Sequence, residues 1–373
     1  MSYDTKVESK NMDLPHLYPV VMAGGSGTRF WPWSRKHHPK QFLSIGTSSP
    51  LLVETFLRLQ GLSSWSHSYV VAGRTHQDQI QKLCPQLPSH QLLIEPCARN
   101  TAPCVGLAAL HVLIRDPEGI MLVLPSDHHI SKVDDFHRVL HLAYQGAQEN
   151  RIMTLGMQPT RPETGYGYIH TLHKGAVNQE RIPVECFVEK PPLEVAQAYL
   201  DDGRYVWNSG MFMFKAQVML DAIQTHIPSL YQGLMKLKTF LDQKDQEGYL
   251  KSLDAFFPQF PSVSLDVGIM EKVKHIEVIF SDLGWNDVGH WDALADFMPS
   301  DQQGNIQCGN ALLENIESSH NIVATELPVV LIGMDHCVVV QTDDALLICS
   351  RDHVQHVKKG VERLKKRGRE DLI

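Results

Sequence analysis

Short apolar runs closed by glycine, proline or polar turns recur from residue 17 to about residue 160. LYPVVM, HSYVVAG, QLLIEP, GIMLVLP and RIMTLGM have the length and composition of buried strands. Between them the apolar period lengthens. Phe136, Val139, Leu140, Ala143 and Ala147 fall at helical spacing behind Asp134, which is expected to cap that helix. A second helix is expected to start at Asn100 or Thr101, carry Pro103 in its first turn and run to about Arg115. Strand–helix repetition predicts an α/β architecture, a mainly parallel, Rossmann-like sheet flanked by helices. Ligands of such sheets bind beyond the carboxyl ends of the strands.

The pattern changes after residue 160. PVECFVEKP and HIEVIFSD read as strands, and VMLDAIQTHIPSLYQGLMKLKTFL reads as helix broken at Pro228. These segments elaborate the same domain, expected to span residues 17–300. PSDQQGNIQCGNA, residues 299–311, is polar and reads as a linker. NIVATE, VVLIGM, CVVVQT and ALLICS then predict short strands, and a basic helix closes the chain with Val354, Val357, Val361 and Leu364 on one side. Residues 305–373 are therefore expected to form a small β-rich C-terminal domain ending in a helix. Residues 1–16 are polar, lack the apolar segment of a secretory signal, and are expected to form a flexible tail.

Composition narrows the class. With 43 % hydrophobic and 20 % charged residues among 373, the chain can fill an ordinary globular core. Its net charge of −8 and pI near 6.2 argue against a nucleic-acid partner, which would require a basic face. No apolar run reaches the roughly 18 residues of a membrane span. Seven cysteines occur without a CxxC pair, so neither a zinc site nor a disulfide framework is predicted, and free thiols fit a reducing cytoplasm. His353 and His356 could share a ligand on a helix, but no third ligand is evident and a solvated face is the simpler reading.

The strand LYPVVM runs straight into AGGSGTRFWPWSRKHHPKQF. Gly24, Gly25, Ser26, Gly27 and Thr28 can wrap backbone N–H groups round a phosphate chain, because glycine permits positive φ and close approach. A Rossmann GxGxxG would need glycine at Phe30. A Walker A loop would need Lys and then Ser or Thr where Thr28 and Arg29 stand. A tight turn alone would explain bare glycines. Here Arg29 and Lys40 follow, a planar fork and a point charge, both suited to phosphate.

This loop resembles the signature of the sugar-nucleotide pyrophosphorylases, and its WPWSR and PKQFL segments resemble the bacterial mannose-1-phosphate guanylyltransferases. EPCARNTAP, LPSDHHI, ETGYGYI, FVEKP, WNSGMFMF, SLDVGIMEK and WNDVGHWDAL agree in the same order, and DDALLICSRDHVQHVKKGVERLKK is similar to that family's tail. The likeness runs over about residues 17–370. Ala98 stands where glycine is usual, and Val267-Gly268 where Tyr-Ala is usual. The chain ends without the isomerase domain of longer relatives, so a single activity is expected. The resemblance implies a nucleotidyltransferase domain over residues 17–300 that converts GTP and α-D-mannose 1-phosphate into GDP-mannose and pyrophosphate. It leaves both a left-handed β-helix and an ordinary small sheet open for the C-terminal domain. That domain is expected to pack on the catalytic one or to mediate self-association, as in a homodimer.

Nucleotidyl transfer is an in-line attack between two anions, which needs charge neutralisation and alignment rather than a side-chain nucleophile. Magnesium held by carboxylates is the usual device. Asp127 ends the strand GIMLVLP and Asp287 follows a turn in WNDVG; on position alone each reads as well as a turn aspartate. The resemblance implies that both hold Mg2+. Arg29 and Lys40 are expected to stabilise charge. Glu189 and Lys190 end a strand before Pro191, where an exposed ion pair would explain them. The resemblance instead implies Glu189 and Asn208 on the hexose hydroxyls, with Lys190 near the sugar phosphate. Gly165, Tyr166 and Gly167 in ETGYGYI would let backbone approach the ring, although a simple turn remains open at Gly167. Glu95 ends another strand, and a carboxylate can accept the N1–H and N2 amino donors of guanine, a pair that adenine lacks. Glu95 is therefore expected to read the base, while Asn100 and Thr101 line that pocket, cap the next helix, or both. Two alternatives stay open: the same chemistry on another hexose 1-phosphate or nucleotide, and a non-catalytic sugar-nucleotide-binding subunit. The second should have lost a metal carboxylate or the signature lysine.

Overall fold

A computed structural model of the chain describes residues 14–25 and 27–373; the tail up to residue 13 and Ser26 lie outside the described residues. In chain order the strands are β1 (Leu17–Met22), β2 (Tyr69–Gly73), β3 (Leu92–Glu95), β4 (Ile120–Pro125), β5 (His129–Ile130), β6 (Ile152–Met157), β7 (Gly167–Thr171), β8 (Ile182–Glu189) and β9 (Tyr205–Lys215). They continue as β10 (Ile276–Ser281), β11 (Trp285–Asn286), β12 (Ile306–Cys308), β13 (Leu313–Ile316), β14 (Ile322–Ala324), β15 (Val329–Ile332), β16 (Cys337–Gln341) and β17 (Leu346–Ser350). The α-helices are α1 (Leu51–Leu57), α2 (Gln77–Leu83), α3 (Thr101–Arg115), α4 (Val133–Gln148), α5 (Leu193–Asp202), α6 (Ala216–His226), α7 (Pro228–Asp242), α8 (Gln246–Phe256) and α9 (Val357–Lys366). These elements gather into two compact units. The first holds the residues up to Met22, Phe56–Pro125 and Lys132–Leu283; the second holds Ala23–Thr55, Ser126–Ser131 and Gly284–Ile373.

The first unit is built on a nine-stranded sheet of order β3-β2-β1-β4-β9-β6-β10-β8-β7. β3, β2, β1 and β4 run parallel, as strands joined by crossovers do. β9 then enters antiparallel between β4 and β6, and β7 and β8 extend the far side as an antiparallel pair. The expected flanked α/β sheet is thus parallel in its first four neighbouring strands and mixed as a whole. The sequence pattern does not mark β9 as a strand, because its Asn208-Ser209-Gly210 reads as a turn in the middle of the apolar run. Helices α3, α6, α7 and α8 share one core, with Val105, Leu107, Leu110, Ile223, Leu230 and Leu234 fully buried. α6 stops at His226 and α7 starts at Pro228, the break expected from that proline.

Two local expectations change. Lys132, not Asp134, occupies the N-cap of α4; Asp134 lies in the first turn, where its charge still opposes the helix dipole favourably. Residues 14–16, assigned to the tail, are held: Leu14 N donates to Leu62 O at 3.2 Å, and His16 Nδ1 lies 2.7 Å from Asp116 Oδ2.

In the second unit the chain winds in coils whose equivalent positions recur every sixteen residues. Ile306 pairs with Ile322 and Ile322 with Val338, both in parallel, and Leu313 pairs with Val329 in the same sense. Asn305 Oδ1 accepts from Asn321 N at 3.0 Å, and Asn321 Oδ1 accepts from Cys337 N at 2.9 Å. Gly304, His320 and His336 turn the chain at matching positions with φ of 78°, 54° and 51°. Of the two forms left open for the C-terminal domain, this stacking is the β-helical one. β12 falls inside the stretch expected to be a linker. Ile306 and Cys308 are buried, so residues 306–308 are the first rung of the stack and not a tether. The coil interior, with Ile306, Ile322, Val338 and Val340, is continuous with Phe30, Trp291 and Val354. α9 buries Val357 and Val361. Among the described residues no helix is long and apolar enough to cross a membrane.

Candidate functional site

After β1 the chain enters the glycine loop. Gly25 and Gly27 both take left-handed backbone, with φ of 102° and 55°. A Cβ on Gly27 would stand 2.5 Å from Lys40 Cβ, so this position requires glycine for its backbone and for its neighbour. Gly24 has open space around it. Ser34 Oγ donates to Gly27 O at 2.7 Å, and Gln41 Nε2 donates to Ala23 O at 3.2 Å, which fixes the loop on both sides. Thr28 and Arg29 follow in a 3-10 turn whose last residue, Phe30, is buried against Trp291.

The short antiparallel ladder of β5 and β11 pairs His129 with Asn286. Asp127 precedes that pair on one strand and Asp287 follows it on the other, so both reach one end of the ladder. They line a single cavity together with Gly27, Thr28, Arg29 and Lys40. Lys40 is 5 % exposed; its Nζ lies 2.9 Å from Asp127 Oδ2 and donates to the Asp287 carbonyl at 2.6 Å. Burial alone would push the Asp127 carboxyl up, but the charges of Lys40 and His128 outweigh it and hold it below the ordinary carboxylate value. Trp285 Nε1 donates to His128 Nδ1 at 3.1 Å, and His128 Nε2 is 3.9 Å from Asp127 Oδ1. Asp287 Oδ1 accepts from Gly289 N at 2.9 Å. Arg29 and Lys358 face the same cavity, and neither has a hydrogen-bond or ion-pair partner among the described residues. Two carboxylates in one polar cavity are the donor set Mg2+ uses when substrate phosphates complete its oxygen shell, so the residues fit a divalent cation.

The residues expected to read the base lie in the first unit. Glu95 ends β3 at 9 % exposure, and its Oε1 has no hydrogen-bond partner. Burial pushes its carboxyl up to about 7. Asn100 takes φ 65° and caps α3, its Oδ1 accepting from Thr101 N at 2.9 Å. Thr101 Oγ1 accepts from Leu265 N at 2.7 Å. Both therefore have the structural role that the sequence left open beside contact with a ligand.

The expected hexose residues also lie in the first unit and share one strand junction. β7 pairs Gly167 with Glu189 at the end of β8, and a Cβ on Gly167 would stand 2.7 Å from Glu189 Oε2 and 3.5 Å from Asn208 Cβ. Gly167 is thus more than a simple turn: its missing side chain makes room for both polar groups. Lys190 N donates to Tyr166 O at 3.2 Å, and Lys190 Nζ to Glu189 Oε1 at 2.6 Å. Gly165 N donates to Glu163 Oε1 at 2.9 Å. The Tyr166 ring meets Trp207 edge-on at 5.2 Å. Asn208 Nδ2 donates to Asp266 Oδ1 at 2.7 Å; burial raises the Asp266 carboxyl, and this hydrogen bond opposes the rise.

Sequence reasoning gave no role to Asp266, His128 or Lys358. Asp266 and His128 stand inside motifs already singled out, SLDVGIMEK and LPSDHHI, so their signal was present without a role attached. Lys358 lies in the basic closing helix, where nothing in the spacing separates it from its lysine neighbours.

A family model described as nucleotidyl transferase matches residues 18–304, and one described as MannoseP isomerase/GMP-like beta-helix domain matches residues 314–364. The chain is 39 % identical over 368 residues to a putative mannose-1-phosphate guanylyltransferase of Vibrio cholerae, covering 94 % of this chain and 75 % of that one. It is 38 % identical over 359 residues to a mannose-1-phosphate guanylyltransferase of Klebsiella pneumoniae, covering 95 % and 75 %. It is also similar to a crystal structure from Thermus thermophilus described as a mannose-1-phosphate geranyltransferase. There the TM-score is 0.84 at 31 % identity, over 94 % of this chain and 99 % of that one.

Proposed function

The chain belongs to the nucleotidyl transferase family, among the mannose-1-phosphate guanylyltransferases, and we propose that it converts GTP and α-D-mannose 1-phosphate into GDP-mannose and pyrophosphate. The observation that carries this reading is the cavity that gathers Arg29, Lys40, Asp127 and Asp287 behind a glycine loop. A phosphate oxygen of mannose 1-phosphate attacks the α-phosphorus of GTP. The new P–O bond forms as the bond to the β-phosphate oxygen breaks, and pyrophosphate leaves. In this scheme the backbone of Gly24, Gly25, Ser26, Gly27 and Thr28 wraps the triphosphate, and Arg29 meets its oxygens as a planar fork. Asp127 and Asp287 would hold Mg2+, which when bound neutralises phosphate charge and templates the reacting groups. Lys40 keeps both aspartates in place and Asp127 ionised.

Glu95 reads guanine. Its buried, unsatisfied carboxylate oxygen supports this, because such a group is costly until a donor reaches it. Asn100 and Thr101 flank it. Glu189 and Asn208 take the hexose hydroxyls, Lys190 the sugar phosphate, and Gly165 and Tyr166 lie beside the ring. A homodimer is supported by the outward face of β13 and β15, where Ile316, Val330 and Ile332 are 50–65 % exposed. The free thiols support a cytoplasmic setting.

Pyrophosphate release from a grid of four nucleoside triphosphates and several hexose 1-phosphates, with magnesium, tests the reading. Activity confined to GTP with mannose 1-phosphate and lost in Asp127→Asn is the expected result. Activity on another pair would overturn the substrates, and silence from folded protein would leave a binding subunit.

A further inference from the structure

We infer that Lys358, the second residue of α9, is a phosphate-binding residue of the nucleotide pocket, so that the C-terminal domain contributes a charge to the site. This rests on the nucleotidyl-transfer reading above and extends it to a residue outside the nucleotidyl transferase match.

The argument is one of charge. The cavity holds two carboxylates, Asp127 and Asp287, and three cations, Arg29, Lys40 and Lys358. Lys40 is committed to Asp127 and to the Asp287 carbonyl. Arg29 and Lys358 have no partner among the described residues. Two unpaired cations beside a glycine loop leave the cavity with an unmet demand for anion, and a triphosphate or pyrophosphate answers it.

Lys358 is also held where it can act. α9 packs against the 3-10 turn Thr28–Phe30 that closes the glycine loop. Trp31 Nε1 and Arg35 Nη1 both donate to the Leu372 carbonyl at 2.6 Å, and Arg35 Nη2 lies 2.6 Å from Asp344 Oδ1. Val357 and Val361 on either side of Lys358 are buried. The backbone is therefore anchored while the side chain is free to turn to a ligand, which suits the flexible point charge of lysine. Its neighbour Lys359 has the same charge and does not line the cavity.

The test compares Lys358→Met, Lys358→Arg and Lys359→Met in the full chain. Initial rates are measured with GTP, mannose 1-phosphate and, in reverse, pyrophosphate each varied, and GTP binding is measured by calorimetry with magnesium. In Lys358→Met, KM for GTP and for pyrophosphate should rise by about tenfold, as loss of one charge-assisted contact implies. KM for mannose 1-phosphate should stay within about twofold. Lys358→Arg should recover most of the loss, and Lys359→Met should match the unaltered chain. Unchanged GTP and pyrophosphate constants in Lys358→Met would overturn the inference, as would an equal loss in Lys359→Met. Should the unaltered chain turn nothing over, the proposed function falls on its own. Calorimetry then decides Lys358 separately, since weaker GTP binding in Lys358→Met supports it and equal binding refutes it.

Discussion

The phosphate pocket and the hexose junction hold their polar groups in opposite ways. In the pocket Lys40 is buried, pinned to Asp127 and Asp287, and packed so tightly on Gly27 that no side chain fits there. At the hexose junction the groups are partly or largely open and hydrogen-bond to one another. Lys190 and Glu189 pair at 63 % and 44 % side-chain exposure, and Asn208 bonds Asp266. A charge that must be in position before two anions meet is built into the fold, where reorganisation at the moment of reaction is small. Groups that recognise hydroxyls can satisfy each other and exchange those bonds when sugar arrives. Glu95 belongs to neither style, being buried like the first and unsatisfied until a ligand comes.

The contrast breaks first, if it breaks, at Lys40. Lys40→Met should lower kcat by about 100- to 1,000-fold. It should also cost about 3 kcal/mol of stability, because Asp127 loses its buried partner. Denaturant titration alongside turnover checks both, and a fully active variant would end the idea of a pre-set charge. Gly27→Ala should cost about 3–4 kcal/mol through left-handed strain and the collision with Lys40. Calorimetric unfolding would show it, and an unchanged Tm would mean the loop is not held.

Glu95 offers a pH signature. Its folded carboxyl is raised from 4.5 to about 7. The stability tied to its neutral form is therefore full below pH 4.5 and is lost as pH rises through 7. Glu95→Gln escapes that loss, so its advantage in Tm over the unaltered chain should grow between pH 4.5 and 7. It should then level off at about 3 kcal/mol. Guanine donors favour the ionised form, so KM for GTP should fall as pH rises from 6 to 8 in the unaltered chain and stay flat in Glu95→Gln. The preference for GTP over ATP should also shrink in that variant; an unchanged preference removes Glu95 from base reading. Smallest in stability is Glu189→Gln. An exposed pair of this kind should change unfolding by less than about 0.5 kcal/mol. KM for mannose 1-phosphate should still rise by about tenfold. A stability loss without a KM change would make the junction structural.

Much of this was legible in the chain. Parallel β1–β4, the helix start at Asn100 and the break at Pro228 follow from period and capping chemistry, which are local. β9 was not legible, because a polar stretch inside a strand is licensed only by the neighbours it meets, β4, β6 and β7. The coil was written at long range: Gly304-Asn305-Ile306, His320-Asn321-Ile322 and His336-Cys337-Val338 repeat with gaps that a reading for nearest turns takes for a linker. At the site, the sequence brought forward Arg29, Lys40 and both aspartates. It did not foresee that Lys40 would be occupied by Asp127, since a salt bridge between residues so far apart in the chain leaves no local trace. Lys358 was hidden for the same reason.

The sixteen-residue recurrence also limits how the C-terminal region can change length. An insertion or deletion of one whole coil preserves every ladder partner and every stacked asparagine; a change of one residue turns inward-facing side chains outward. Length variation there should therefore come in quanta, each displacing α9 by about 4.8 Å along the stack. The stack thus acts as a ruler whose rung count sets how far the closing helix reaches.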